Sequence, residues 1–201
     1  MSGLTQTGSP LPLKLIAGIG NPGVQYANTR HNAGIWFIER LAEKLGASFK
    51  PEKKFFGRTS LINVDDVEVR LLIPDTYMNE SGKSVGILAN FFKIEPQEIL
   101  VAHDEIDFPS GKIRFKQEGG LAGHNGLRDI SNRLSGARDF NRLRIGVGHP
   151  GDRTGVTGHV LGKVSAKDRE LIENCIEDAI ATIPYAVTGD WQLAMQQLHN
   201  V

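Results

Sequence analysis

The chain has almost no cysteine. Its single Cys175 cannot form an internal disulfide and lies on the apolar face of a helical pattern, so it reads as a small buried hydrophobe. No apolar run is long enough to cross a bilayer, which argues against a membrane-spanning protein. Met1 to Pro12 have neither the basic start nor the apolar centre of a secretory signal, so they read as a loose, flexible N-terminal tail, and the expected location is the cytoplasm. Net charge is also missing, since 23 Lys and Arg balance 23 Asp and Glu. The histidines show no H-E-x-x-H or H-x-H spacing, no G-x-S-x-G elbow occurs, and Gly82-Lys83-Ser84 has Tyr77 where a phosphate loop needs its first glycine. Zinc-protease, serine-hydrolase and Walker-type sites are thereby disfavoured, and no metal or cofactor is expected.

What is present is an ordinary globular composition, 40% hydrophobic and 23% charged over 201 residues, which is enough for one well-buried core. The neutral total hides an asymmetry. Between Lys112 and Arg153 stand nine cations and four anions, a basic third of the kind that a nucleic-acid footprint requires, although helix surfaces also carry cations without any partner.

Short β-type runs alternate with longer helical ones. Leu13 to Ile19 reads as a buried strand, and Phe56 to Ile62 with Val67 to Ile73 as a hairpin turning on Asp65-Asp66. Ile99 to His103, Ile113 to Lys116 and Leu143 to Val147 read as further strands. Helical spacing follows His31 (Ile35, Ile38, Leu41, Ala42, Leu45), then Ser81 as a cap (Val85, Leu88, Ala89, Phe92), and then Asn125 (Leu127, Ile130, Leu134). The most regular helix opens at Ser165 and carries Leu171, Ile172, Cys175, Ile176, Ala179, Ile180 and Ile183. A last one covers Trp191 to Leu198. Such alternation implies an α/β fold: a single domain over residues 13–201 with a mixed, mostly parallel twisted sheet covered by helices on both faces, three layers in all.

Gly18-Ile19-Gly20-Asn21-Pro22-Gly23 matches a dinucleotide-binding pattern, but Pro22 removes an N–H and the helical pattern starts several residues too late to offer its N-terminus to a pyrophosphate. His103, Asp104, Glu105 and Asp107 are ligand-type residues, yet neighbours on a strand point to opposite faces. There remain polar residues at expected strand ends or in loops: Asn21, His31, Asn79, Asp104 and Asn125. A histidine held by a carboxylate takes a proton from water at neutral pH, and asparagine amides stabilise developing oxyanion charge. Each of these residues also has a plain role open to it, as turn former or cap.

Six stretches together resemble the bacterial peptidyl-tRNA hydrolase family: Gly18 to Gly23 with Tyr26, Thr29 to Gly34, Thr76 to Gly82, His103 to Glu105, Gly123 to Leu127, and Arg142 to Gly151. The resemblance runs from about Leu13 to the C-terminus. It implies a monomeric enzyme that cleaves the ester between a peptide and the terminal ribose of tRNA, and so recycles tRNA from abandoned translation. By motif position His31 would activate water, Asp104 would orient it, and Asn21, Asn79 and Asn125 would hold the peptide and the acceptor end. Tyr26 and Met78 would shape the groove, and Lys116 and Arg144 would clamp the tRNA 5′-phosphate. One departure stands out: Glu118 and Leu121 stand where many members of the family have a glycine and a polar residue in a glycine-rich loop, which bears on that loop's flexibility and substrate contacts. Relatives with the same fold serve as RNA-processing partners, so a binding module is the alternative reading, against which the retained His31, Asp104 and asparagines stand.

Overall fold

The computed structural model describes residues 11–152 and 154–200, so most of the tail expected over 1–12 lies outside the described residues. The strands are β1 (Leu15–Gly18), β2 (Lys50–Glu52), β3 (Gly57–Val64), β4 (Val67–Pro74), β5 (Ile99–Glu105), β6 (Ile113–Lys116) and β7 (Asn141–Gly146). They form one seven-stranded sheet in the order β2-β3-β4-β1-β5-β7-β6. The central strands β4, β1, β5 and β7 run parallel, and the outer pairings β2 with β3, β3 with β4 and β7 with β6 are antiparallel. The sheet is therefore mixed, with a parallel centre. Every residue of β1 and β5 is buried, as expected of strands covered on both sides. The β3–β4 hairpin turns on Asp65 and Asp66, both at positive φ (48° and 64°), the backbone that two-residue hairpin loops need.

Strand periodicity sorts the core into two layers. Ile16, Leu71, Leu100 and Leu143 pack with α1 (Ala33–Lys44), α5 (Ala166–Val187) and α6 (Trp191–His199). Leu15, Leu72 and Val101 pack on the other side with α2 (Ser81–Phe92) and α3 (Asn125–Arg133). A short α4 (Val156–Val160) precedes α5. Ser165 caps α5 by accepting the Asp168 N–H at 3.1 Å, and the stripe Ile172, Cys175, Ile176, Ala179, Ile180, Ile183 is buried as expected. Burial pushes the Cys175 thiol up to about 12, so it stays protonated. Among the described residues no helix is long and apolar enough to cross a membrane.

Some local expectations are corrected. Ser81 is not a cap: it is the first helical residue, and its hydroxyl donates to Met78 O at 2.8 Å from the single turn Met78–Glu80 that leads into α2. Leu171 and Leu45 are 40% and 45% exposed, because both lie at the margins of their apolar stripes. Strand β2 and helix α4 were not expected: Lys50-Pro51-Glu52 has no apolar alternation and Val156-Thr157-Gly158-His159-Val160 is too short for a helical period.

Gly34 shows how tightly the parallel centre meets α1. A Cβ there would lie 2.2 Å from Ala102 O and 2.7 Å from Ile19 O, both backbone atoms that cannot step aside. Gly34→Ala is expected to destabilise the fold by about 3 kcal/mol, the upper part of the range for overpacking. Urea unfolding tests this, and a loss below about 1 kcal/mol would show that α1 can move away.

Candidate active site

Chain segments converge where β1 and β5 end. The loop after β1 brings Asn21, the turn before α1 brings His31, β5 ends in Asp104, the turn before α2 brings Met78 and Asn79, and the start of α3 brings His124 and Asn125. These line one cavity of about 340 Å³, and Val156, Thr157, Val160 and Leu161 form part of its wall. The position follows from topology, since crevices in α/β sheets open at the carboxyl ends of parallel strands.

The chemistry centres on a carboxylate between two imidazoles. Asp104, 2% exposed, accepts His31 Nδ1–H at 2.8 and 2.9 Å on its two oxygens, and His124 Nε2–H at 2.9 Å on Oδ1. His124 Nδ1 in turn accepts the Leu127 N–H at 3.4 Å as the cap of α3, which leaves the His124 proton on Nε2. Burial opposes ionisation of Asp104, but the charges and hydrogen bonds of His31 and His124 outweigh it and hold the carboxyl far below its usual range. Burial alone would also lower the His31 pKa. The Asp104 charge and hydrogen bond overcome that and leave it raised above 6.5. With Nδ1–H committed to Asp104, His31 Nε2 carries the lone pair and has no hydrogen-bond partner among the described residues.

His31, Asp104 and His124 each offer one ligand-type atom, all within 4.8 Å of one another. Asp104 already accepts an N–H from each imidazole, so a cation placed between the carboxylate and these two nitrogens would have to displace both imidazole protons. His103 lies on the opposite face of β5, as strand alternation requires. Its Nδ1–H donates to Asp104 O at 2.7 Å, and burial and the neighbouring His124 push its pKa down to about 3.

Asn21 is 7% exposed and its orientation is fixed: Oδ1 accepts the Met78 N–H at 2.8 Å, which leaves Nδ2 as the amide's remaining donor group. Its backbone is held by Asn32, whose Oδ1 accepts the Asn21 N–H at 2.8 Å and whose Nδ2 donates to Asn21 O at 2.9 Å. The opening glycines serve this packing. A Cβ on Gly20 would lie 2.7 Å from Asn32 Oδ1, and Gly23 turns the chain at φ 102°. Asn79 and Asn125 are exposed on the cavity rim, and Met78, 4% exposed, forms part of its floor. Tyr26 does not line the cavity; it packs edge-on against Tyr77, which does, with ring centroids 6.3 Å apart.

Lys116 and Arg144 lie apart from this group. They border a second, smaller cavity on the other side of the loop before α3, together with His103, Glu105 and Arg142. Arg144 Nε donates to Glu105 Oε2 at 2.8 Å. Burial, together with the charges of Arg142 and Arg144, lowers the Lys116 pKa, a sign of crowded positive charge.

His124, Asn32 and Arg142 were not singled out from the sequence. His124 and Asn32 sit inside quoted motifs, at a helix cap and in a turn, where a polar residue already has an ordinary explanation. The family model for peptidyl-tRNA hydrolase matches residues 15–201. A peptidyl-tRNA hydrolase of Shewanella sp. (strain ANA-3) is 53% identical over 94% of this chain and 96% of its own. One of Neisseria gonorrhoeae (strain NCCP11945) is 50% identical over 94% of this chain and 97% of its own. The crystal structure of peptidyl-tRNA hydrolase from Acinetobacter baumannii superposes with a TM-score of 0.89 at 48% identity, covering 92% of this chain and 94% of that one. The chain belongs to the peptidyl-tRNA hydrolase family.

Proposed function

We propose that His31 is the general base of peptidyl-tRNA hydrolysis, carried out by one α/β unit, residues 13–201, acting as a monomer in the cytoplasm. The observation that carries this reading is the pair of hydrogen bonds from His31 Nδ1–H to Asp104, which reserves Nε2 as the acceptor for a water proton. Water held by Nε2 attacks the ester carbonyl as the proton passes to the imidazole, and Asp104 stabilises the imidazolium that forms. Asn21 Nδ2–H, preset by the Met78 bond, donates to the oxyanion as charge develops there. The imidazolium then returns its proton to the departing ribose oxygen, so the products are a free peptide acid and tRNA. Asn79 and Asn125 hold the peptide backbone and the acceptor end, and Met78, with Tyr77 backed by Tyr26, shapes the groove. Release of tRNA from N-blocked aminoacyl-tRNA tests the reading. No turnover by the intact protein would favour a binding module instead.

Lys116 and Arg144 supply the contact to the tRNA 5′-phosphate in this reading. Lys116→Ala is the cleaner variant, because Arg144→Ala also strands the buried Glu105. Loss of one phosphate contact is expected to reduce the slope of log affinity against log salt by about 0.9 for duplex contacts. Slopes that match the parent protein in both variants would remove these residues from the tRNA contact.

A further inference from the structure

Glu118 occupies a backbone that suits glycine. Its φ is 57°, and Gly119, Ala122 and Gly123 follow at 91°, 48° and 73°. Two non-glycine residues in the left-handed region cost this loop backbone energy that contacts with its surroundings offset. Over residues 118–120 the guanidinium of Arg142 does the holding, and further along Arg128 Nη2 donates to Gly123 O at 3.3 Å and the His124 N–H to Leu121 O at 2.9 Å. The Arg142 side chain rises from β7, is 2% exposed, and donates to three successive carbonyls: Gly120 O at 2.7 Å, Gly119 O at 3.4 Å and Glu118 O. No carboxylate pairs with it among the described residues; the nearby Glu105 is bonded to Arg144. The loop it grips is the partition between the two cavities. Gly120 and Leu121 face the Lys116 side, Gly123, His124 and Asn125 face the His31 side, and Ala122 borders both.

We propose that Arg142 is a positioning residue for the reaction: by fixing the backbone of residues 118–120 it sets the wall formed by Ala122, Gly123 and Asn125 against the substrate. Its planar fork presents separate donors to the three carbonyls, whereas a lysine ammonium is a compact point charge on a flexible stem. The proposal rests on reading the larger cavity as the hydrolytic site.

Arg142→Lys keeps the charge and tests the geometry. The amides of Gly119, Gly120 and Gly123 are expected to fall from the rigid range of about 0.85 in the NMR order parameter to below about 0.6. On N-blocked aminoacyl-tRNA, kcat/KM is expected to fall about tenfold or more, mainly through KM, because the wall contributes binding and the His31–Asp104 hydrogen bonds lie outside the loop, with a smaller fall in kcat as His124 of the same segment loosens on Asp104. Glu118→Gly, which removes strain without touching Arg142, is expected to leave the order parameters at parent values. Rigid loop amides with parental KM in Arg142→Lys would overturn the proposal, and so would a Glu118→Gly loop that loosens without any change at Arg142. If instead His31→Ala proves as active as the parent, the hydrolytic reading fails while the order parameters still report whether Arg142 holds the loop.

Discussion

Replacing His31 by alanine is expected to lower turnover of N-blocked aminoacyl-tRNA by about 10²–10⁴-fold, the span that general-base catalysis supplies, while tRNA affinity stays near the parent value. The two readouts diverge because of where the residues lie. The imidazole acts on water in the larger cavity, whereas Lys116 and Arg144 border the smaller one across the loop. His31 is not a keystone of the core, since its side chain is 13% exposed and packs in the turn before α1. A fall in rate accompanied by unchanged thermal unfolding would therefore report chemistry. Retention of most of the parental rate would mean that another group activates the water.

Asp104→Asn should be nearly as damaging, and for a more instructive reason. The carboxylate accepts two N–H groups, from His31 and His124. Both N–H groups reach the one oxygen Oδ1, which an amide keeps, but the amide NH2 then replaces Oδ2, 2.9 Å from His31 Nδ1, and a donor facing a donor drives the His31 proton to Nε2, where water needs an acceptor. A loss of about 10²-fold or more is expected. The pH profile carries the sign. In the parent, burial lowers the His31 pKa but the Asp104 charge and hydrogen bond raise it more, so the net position is above 6.5. The neutral base is populated as pH rises through that raised value, so kcat/KM climbs along an acid limb centred above 6.5. Without the Asp104 charge, burial remains, and the limb should move to lower pH in the variant. A limb that stays in place would show that Asp104 does not set the base.

Much of this arrangement was legible from residue types. Buried parallel strands write continuous apolar runs, which is why β1 and β5 were recognisable, and α5 is long enough for its period to show. Asn21, His31, Asn79, Asp104 and Asn125 stood out as polar groups at expected strand ends or in loops that one crevice could collect. Other features depend on partners distant in sequence. Asn32 reads as a turn residue until its amide is seen bracketing the backbone of Asn21, and His124 reads as a helix cap until its other nitrogen is seen on Asp104. The glycines of the opening stretch looked like a phosphate cradle by pattern. Gly20 serves the close approach of Asn32 and Gly23 serves a turn. Arg142 lay within the family motif, but that it is buried against three carbonyls follows only from the fold.

The central claim concerns one proton, and nitrogen-15 NMR of the His31 ring reads it directly. Across a titration of the parent protein, Nδ1 should remain protonated throughout while Nε2 titrates with a midpoint above 6.5, coincident with the acid limb of kcat/KM. An Nδ1 found unprotonated at neutral pH, or an Nε2 midpoint separated from the kinetic limb, would contradict His31 as the Asp104-oriented base.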